Sequence, residues 1–187
     1  IDMLLGLPVS NLAVNKDIVV DAVTPAITSI YSSTIDGNYS TGSLINITIA
    51  FSEAVTLTGT LTVNLDTGGF ATISSFLNAT SASGVYTVLN GHTSADLDST
   101  SIALNGLFSD MAANNVSLSL PGNTIASSSN IVIDTASPTI TSIQSLTVDG
   151  SYRAGQSISL LLSFSENVTS TGTLTLGLTS GGNVVFG

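Results

Sequence analysis

Cysteine and tryptophan are absent from these 187 residues, and only two basic side chains occur, Lys16 and Arg153, against twelve acidic ones. Without cysteine there is no disulfide framework and no thiolate metal site. A net charge of −10 makes nucleic acid and anionic membrane surfaces poor partners and invites cations instead. The opening stretch Ile1–Leu7 has no basic flank and too short an apolar run for a signal peptide or a membrane span. If the protein is secreted, its signal is expected outside this sequence. The machinery of catalysis is equally sparse. His92 is the single histidine, flanked by Gly91 and Thr93, and reads as an exposed loop residue. The many Ser and Thr residues show no activating partner, which nucleophilic catalysis requires. No glycine-rich phosphate loop opens a helix. The expectation is a non-enzymatic protein.

What the chain has in abundance is Ser, Thr, Gly, Val, Ile and Leu, a composition of strands and turns. It also repeats itself. Asp134-Thr-Ala-Ser-Pro138 answers Asp21-Ala-Val-Thr-Pro25, Phe164-Ser-Glu166 answers Phe51-Ser-Glu53, and Thr171-Gly-Thr-Leu-Thr175 answers Thr58-Gly-Thr-Leu-Thr62. The offset is constant and gap-free, 134 − 21 = 113, and it extends upstream to Leu7-Pro8 against Leu120-Pro121. A period of that length is one small sandwich domain, not a short solenoid unit. The expected division is residues 1–20 as the end of a preceding module, 21–133 as one complete module, and 134–187 as the front half of a following one. The two partial modules together lack the counterparts of 75–113, and half a sandwich leaves an apolar face and strand edges to cover. Either the chain is an excerpt of a longer linear array, or identical subunits complete each other's sheets by adding strands; the missing counterparts carry several strands, which argues against simple exchange between identical subunits and favours the excerpt. In both cases Ile18–Val20 and Leu174–Leu178 are expected to pair beyond the central module.

Alternation locates the strands. Ile45, Ile47, Ile49 and Phe51 alternate with polar or small residues, as do Leu61, Val63 and Leu65, and the copies repeat both patterns. Period two predicts a sheet with one buried face. Phe51 and Phe164 are therefore expected in the core, and Thr62 on the opposite face. Further strands are predicted at 27–32, 70–77, 85–89, 101–104, 116–120 and 130–133, with Ile18–Val20 closing the preceding module. Seven or eight strands per period, separated by Gly, Asn, Asp and Ser turns, make an all-β, immunoglobulin-like β-sandwich the predicted fold.

Four local motifs carry a resemblance. They are the Asp-x-x-x-Pro linkers at Asp21 and Asp134, the Tyr39 and Tyr152 turns each followed by Gly42 or Gly155, the Phe-Ser-Glu strand ends, and the loop Asp110-Met-Ala-Ala-Asn114. Together they resemble the bacterial immunoglobulin-like or cadherin-like tandem repeats of large surface adhesins and extracellular matrix proteins. Nearly the whole chain takes part. The loop departs from the family pattern at Ala113, where glycine is usual. The resemblance implies an extracellular or cell-surface location and a role in adhesion, spacing or fibre assembly.

Scarce acids make their placement informative. A second strand antiparallel to the first returns Glu53 to the pole where Asp21 enters, and the late loop brings Asp110 there. Calcium takes six to eight oxygens from carboxylates, carbonyls and water, so this set suits calcium better than zinc. The other pole should hold Asp36, Asp96 and Asp98 next to Asp134 and Glu166 of the following module, where a cation would stiffen the joint. Asp36 and Asp149 read better as turn residues and Asp96 as a loop cap. A second functional class is a module recognising surface glycans. Tyr31, Tyr39, Tyr86 and Tyr152, however, are scattered rather than grouped into a platform.

Overall fold

The computed structural model describes residues 16–186, and the chain divides after Thr135 into two compact units. The Leu7-Pro8 match and most of the expected 1–20 segment lie outside the described residues. Strands dominate throughout, and the one helical piece among the described residues is a single 3-10 turn, Ile125–Ser127. No helix there is long and apolar enough to cross a membrane.

The first unit holds strands β1 (Ile27–Ser32), β2 (Gly37–Tyr39), β3 (Leu44–Leu65), β4 (Phe70–Thr87), β5 (Thr93–Ser94), β6 (Ser99–Ser109) and β7 (Ile131–Asp134). The two strands expected at 45–51 and 61–65 are one continuous strand of 22 residues, β3. Likewise, β4 joins the segment expected at 70–77 to the first part of that expected at 85–89, ending at Thr87. The intervening residues of β3 are rich in Thr, Val and Leu, which keep an extended backbone. β3 pairs antiparallel with β4 along one edge. Along its other edge it meets β1 over Ile47–Phe51 and then β6 over Thr56–Leu65. Register shifts between Ala50 and Thr60 mark bulges, which bend and twist a strand. Both halves of β3 consequently send Ile45, Ile47, Ile49, Phe51, Val55, Leu57, Leu61, Val63 and Leu65 into one shared core.

A small second sheet, in the order β2-β7-β5, closes that core. β7 runs parallel to β2, with Gly37, Asn38 and Tyr39 facing Ile131, Val132 and Ile133. Ile131 and Ile133 are 0% and 1% exposed. Two sheets around one apolar core are consistent with a β-sandwich. Residues 116–120, expected as a strand, instead make a single isolated bridge, Ser117 to Ala26, next to the bridge between Asn115 and Ser109. Ile18–Val20, also expected as a strand, belong to none and stand exposed.

The second unit holds β8 (Ile140–Ser145), β9 (Leu160–Phe164), β10 (Leu174–Gly177) and β11 (Asn183–Phe186). Its pairings fall on those of the first unit when 113 is subtracted. Ile140 faces Phe164 as Ile27 faces Phe51, and Ser145 faces Leu160 as Ser32 faces Ile47, with an irregularity at the matching place. Leu174 faces Phe186 as Leu61 faces Ile73. The turns match as well. The Tyr152 hydroxyl donates to the Val148 carbonyl as Tyr39 donates to Ile35, and Gly155 has φ 89° where Gly42 has 88°. Burial does not match. Ile143 is 48% exposed and Ile158 52%, where Ile30 and Ile45 are each 0%. Phe164, expected in a core, is 36% exposed against 6% for Phe51. The reason is packing: no ring contacts Phe164 among the described residues, whereas Phe51 lies against Phe76 and Phe108.

Candidate metal centre

Asp21 enters along an extended linker that is fastened on both sides. On one side, Ala26 N donates to Ser52 Oγ and Ser52 N donates to the Ala26 carbonyl, both at 2.9 Å. On the other, Ser117 N donates to the Pro25 carbonyl at 2.8 Å. The residue after Ser52 is Glu53, and Asp110 opens the loop that leads from β6 towards Ser117. Fastening the linker between these two segments therefore draws three acids to one end of the unit. One ligand oxygen from each of Asp21, Glu53 and Asp110 lies within 4.8 Å of the others.

The Asp110 loop is built around its own carboxylate. Asp110 is 7% exposed, its Oδ1 accepts from Asn114 N and its Oδ2 from Asn114 Nδ2, both at 2.8 Å. The same Asn114 amide also donates to the Asp21 carbonyl at 3.3 Å, tying loop to linker. Ala113 takes φ 66°, the left-handed conformation glycine adopts without cost. The loop thus keeps the shape that glycine would favour, at a steric cost to Ala113.

The charges are unevenly settled. Burial, followed by the neighbouring charges of Asp21 and Asp110, raises the Glu53 carboxyl above its ordinary value. Burial also pushes Asp110 up, but hydrogen bonds from the Asn114 side chain and from the backbone of Asn114, Ala112 and Ala113 outweigh it and hold Asp110 low. The donor set is all hard oxygen, three carboxylates with the Asp21 carbonyl at hand, which fits calcium or magnesium rather than a soft-ligand metal.

The other acids named from the sequence lie elsewhere, and the carboxylates of Asp36 and Asp98 brace the backbone around them. Asp36 Oδ1 accepts from Asn130 N at 2.9 Å, fixing the start of β7 against the turn before β2. Asp98 Oδ1 accepts from Ser99 N at 2.8 Å, and its Oδ2 from Thr124 Oγ1 at 2.9 Å, anchoring the 3-10 turn. Asp96 N donates to Ser94 Oγ in the same loop. Asp134 ends β7 opposite Thr93 in the first unit, and Glu166 follows β9 in the second. None of these five joins a triad of ligand atoms among the described residues. One acid passed over in the sequence matters for architecture. Asp66 accepts from Ser94 Oγ at 2.6 Å and from Asp98 N at 3.2 Å, stitching the β3 end to the β5 loop. Its signal was weak, because Asp66 sits in an ordinary Asp-Thr-Gly-Gly turn. His92 is only partly exposed. Its Nδ1 lies 2.7 Å from the Tyr86 hydroxyl, the two rings stack at 5.7 Å, and Leu89 N donates to the same nitrogen at 3.3 Å.

No known family model matches the chain, and neither does a curated protein or a solved structure.

Proposed function

We propose that this chain is a structural or adhesive segment of a cell-surface or extracellular stalk, fibre or matrix protein. In this reading it is built of immunoglobulin-like sandwich modules in tandem at a period of 113 residues and performs no catalysis. The observation that carries the reading is the strand register. β8 and β9 pair residue for residue as β1 and the first half of β3 do, down to the same irregularity and the same tyrosine-braced turn. Two segments of one chain that fold alike at a constant spacing are what an array of modules needs.

Calcium is the cation we assign to Asp21, Glu53 and Asp110. With it bound, the ion would replace repulsion among three acids by attraction to a common charge, and would lock the linker to β3 and to the Asp110 loop. A ligand that binds only the folded chain adds roughly 2.7 kcal/mol at a hundred times its dissociation constant. The test is thermal melting and small-angle scattering of the full chain in millimolar calcium, in magnesium and in chelator. Calcium should raise the melting temperature and lengthen the average particle. Equal melting curves in calcium and chelator would sink the calcium assignment. Electron microscopy of native material addresses the stalk itself, and isolated compact particles would count against it.

A further inference from the structure

The single histidine is tied to the core on one side and to the linker on the other. Leu89–His92 is a turn closed by His92 N, which donates to the Leu89 carbonyl at 3.1 Å, with Gly91 at φ 88°. From that turn, Gly91 N donates to Thr135 Oγ1 at 3.0 Å, and the same hydroxyl donates to the His92 carbonyl at 2.9 Å. Thr135 is the last residue of the first unit, directly after β7. The turn therefore grips the chain where it leaves that unit. The counterpart of Thr135, 113 positions earlier, is Ala22, which has no hydroxyl, so the grip is particular to this exit.

The His92 ring shapes the turn. Its Nδ1 meets two donors, Leu89 N at 3.3 Å and the Tyr86 hydroxyl at 2.7 Å. A backbone N–H can only donate, so Nδ1 carries the lone pair and the ring proton sits on Nε2. Tyr86 is 1% exposed. Burial raises its phenol above the ordinary value, a hydrogen bond from the Thr67 side chain opposes this, and the charge of Asp66 adds to it, so Tyr86 stays a donor. The rings have little room to turn away. They stack at 5.7 Å, and a Cβ added at Gly69 would fall 2.4 Å from Tyr86 Cε2 and 2.9 Å from His92 Cε1. A proton on Nδ1 would bring three hydrogens to one point and leave both donors without their acceptor, which is costly for a buried hydroxyl.

We infer that His92 is an acid-released clasp on the linker: the neutral ring holds the Leu89–His92 turn in the shape that grips Thr135, and the protonated ring lets it go. A proton from solvent enters at Nδ1 and displaces Leu89 N and the Tyr86 hydroxyl. The turn that carries Gly91 N and the His92 carbonyl then shifts, and the Thr135 hydroxyl loses both partners. The clasp lies within the first unit and stands without the repeat or the calcium assignment. Other groups near the ring titrate as well. They are Tyr86 itself, Asp66, whose charge acts on Tyr86, Asp96 and Asp98 in the following loop, and Asp134, which faces Thr93 at the end of β7. The reference for the clasp is therefore the ring's own protonation rather than the pH.

The test is NMR of the full chain across a pH series, with the His92 ring carbons reporting protonation and hydrogen exchange at Gly91 N reporting the grip. Gly91 protection, measured against the intrinsic exchange rate at each pH, should fall about tenfold in step with ring protonation, the size of one net hydrogen bond. Thr135→Val keeps the side-chain shape and removes the hydroxyl. In that variant Gly91 should be unprotected at every pH, while the ring still titrates and the Leu89 amide shifts with it. His92→Phe keeps a ring against Tyr86 and removes the acceptor, so Gly91 should be unprotected with no step. The amides of Leu61 and Val63, in a strand paired on both edges, report whether each variant is folded. The wild-type titration decides even where a variant fails to fold. Gly91 protection that stays constant while the ring protonates, or a step that persists in His92→Phe, would overturn the clasp.

Discussion

Replacing Phe51 by alanine tests the core where the sequence pattern and the packing meet. Phe51 is 6% exposed, with its ring 5.8 Å from Phe76 in a stacked arrangement and 5.3 Å from Phe108 edge-on. Phe76 and Phe108 meet each other at 6.0 Å, so the truncation opens one corner of a three-ring cluster. A buried Phe→Ala change costs about 3–5 kcal/mol. Each lost ring pair adds roughly 0.5–1.5 kcal/mol beyond area burial, which places Phe51→Ala in the upper half, about 4–5 kcal/mol. Phe164→Ala is the internal control, since it occupies the same place in the second unit but is 36% exposed and has no ring partner among the described residues. Full burial of a Phe is worth about 1.5–3 kcal/mol, so two-thirds burial predicts about 1–2 kcal/mol. The assay is urea unfolding of dilute protein followed by amide NMR, which reads each unit separately, with the loss taken from the midpoint at unchanged slope. Equal losses at Phe51 and Phe164, or a Phe51→Ala loss below about 2 kcal/mol, would refute the assignment of the core.

Three further outcomes are expected. Gly106 has φ 129° and an added Cβ would fall 1.9 Å from the Thr58 carbonyl oxygen, so Gly106→Ala should cost about 3 kcal/mol or more. Gly172, the counterpart of its partner Gly59, has open space, and Gly172→Ala should cost under about 1 kcal/mol in the same urea titration. Ala113→Gly should raise stability by about 0.5–1 kcal/mol by relieving the left-handed backbone, visible as a higher urea midpoint. The acids predict opposite pH responses in chelator-treated protein. Glu53 titrates above its ordinary range in the fold, so its contribution grows as pH falls from neutral through that raised value and is lost as pH rises through it. Asp110 titrates low, so its contribution is present above the ordinary carboxylate range and is lost as pH falls through its folded value. Wild type should therefore gain on Glu53→Gln between neutral pH and roughly 4, while Asp110→Asn should remove the loss on further acidification. Melting curves across pH that keep a constant gap between wild type and Glu53→Gln would contradict the crowding of these three acids. At neutral pH, Glu53→Gln should also blunt any stabilisation by calcium.

The sequence by itself determined the class of fold, the inward face of β3, and the acids at the Asp21 end. These are local matters: alternation fixes which side chains share a face, and an antiparallel return fixes which pole a residue reaches. It could not determine that 45–51 and 61–65 are one strand. A bulged strand and a strand–turn–strand have the same alternation, and only pairing with β4 on one edge and with β1 and β6 on the other distinguishes them. It did not separate the aspartates that cluster from those that stand alone as braces either. Asp36 and Asp98 resemble Asp110 in the sequence, but the tertiary fold brings Asn130 to the first and Thr124 to the second, while it brings Asp21 and Glu53 to Asp110. Nor did the pattern distinguish Phe51 from Phe164. They stand in equivalent strands with equivalent neighbours along the chain. Burial is decided by what packs across the sheet, and for Phe51 that is Phe76 and Phe108, contributed by strands distant in the sequence.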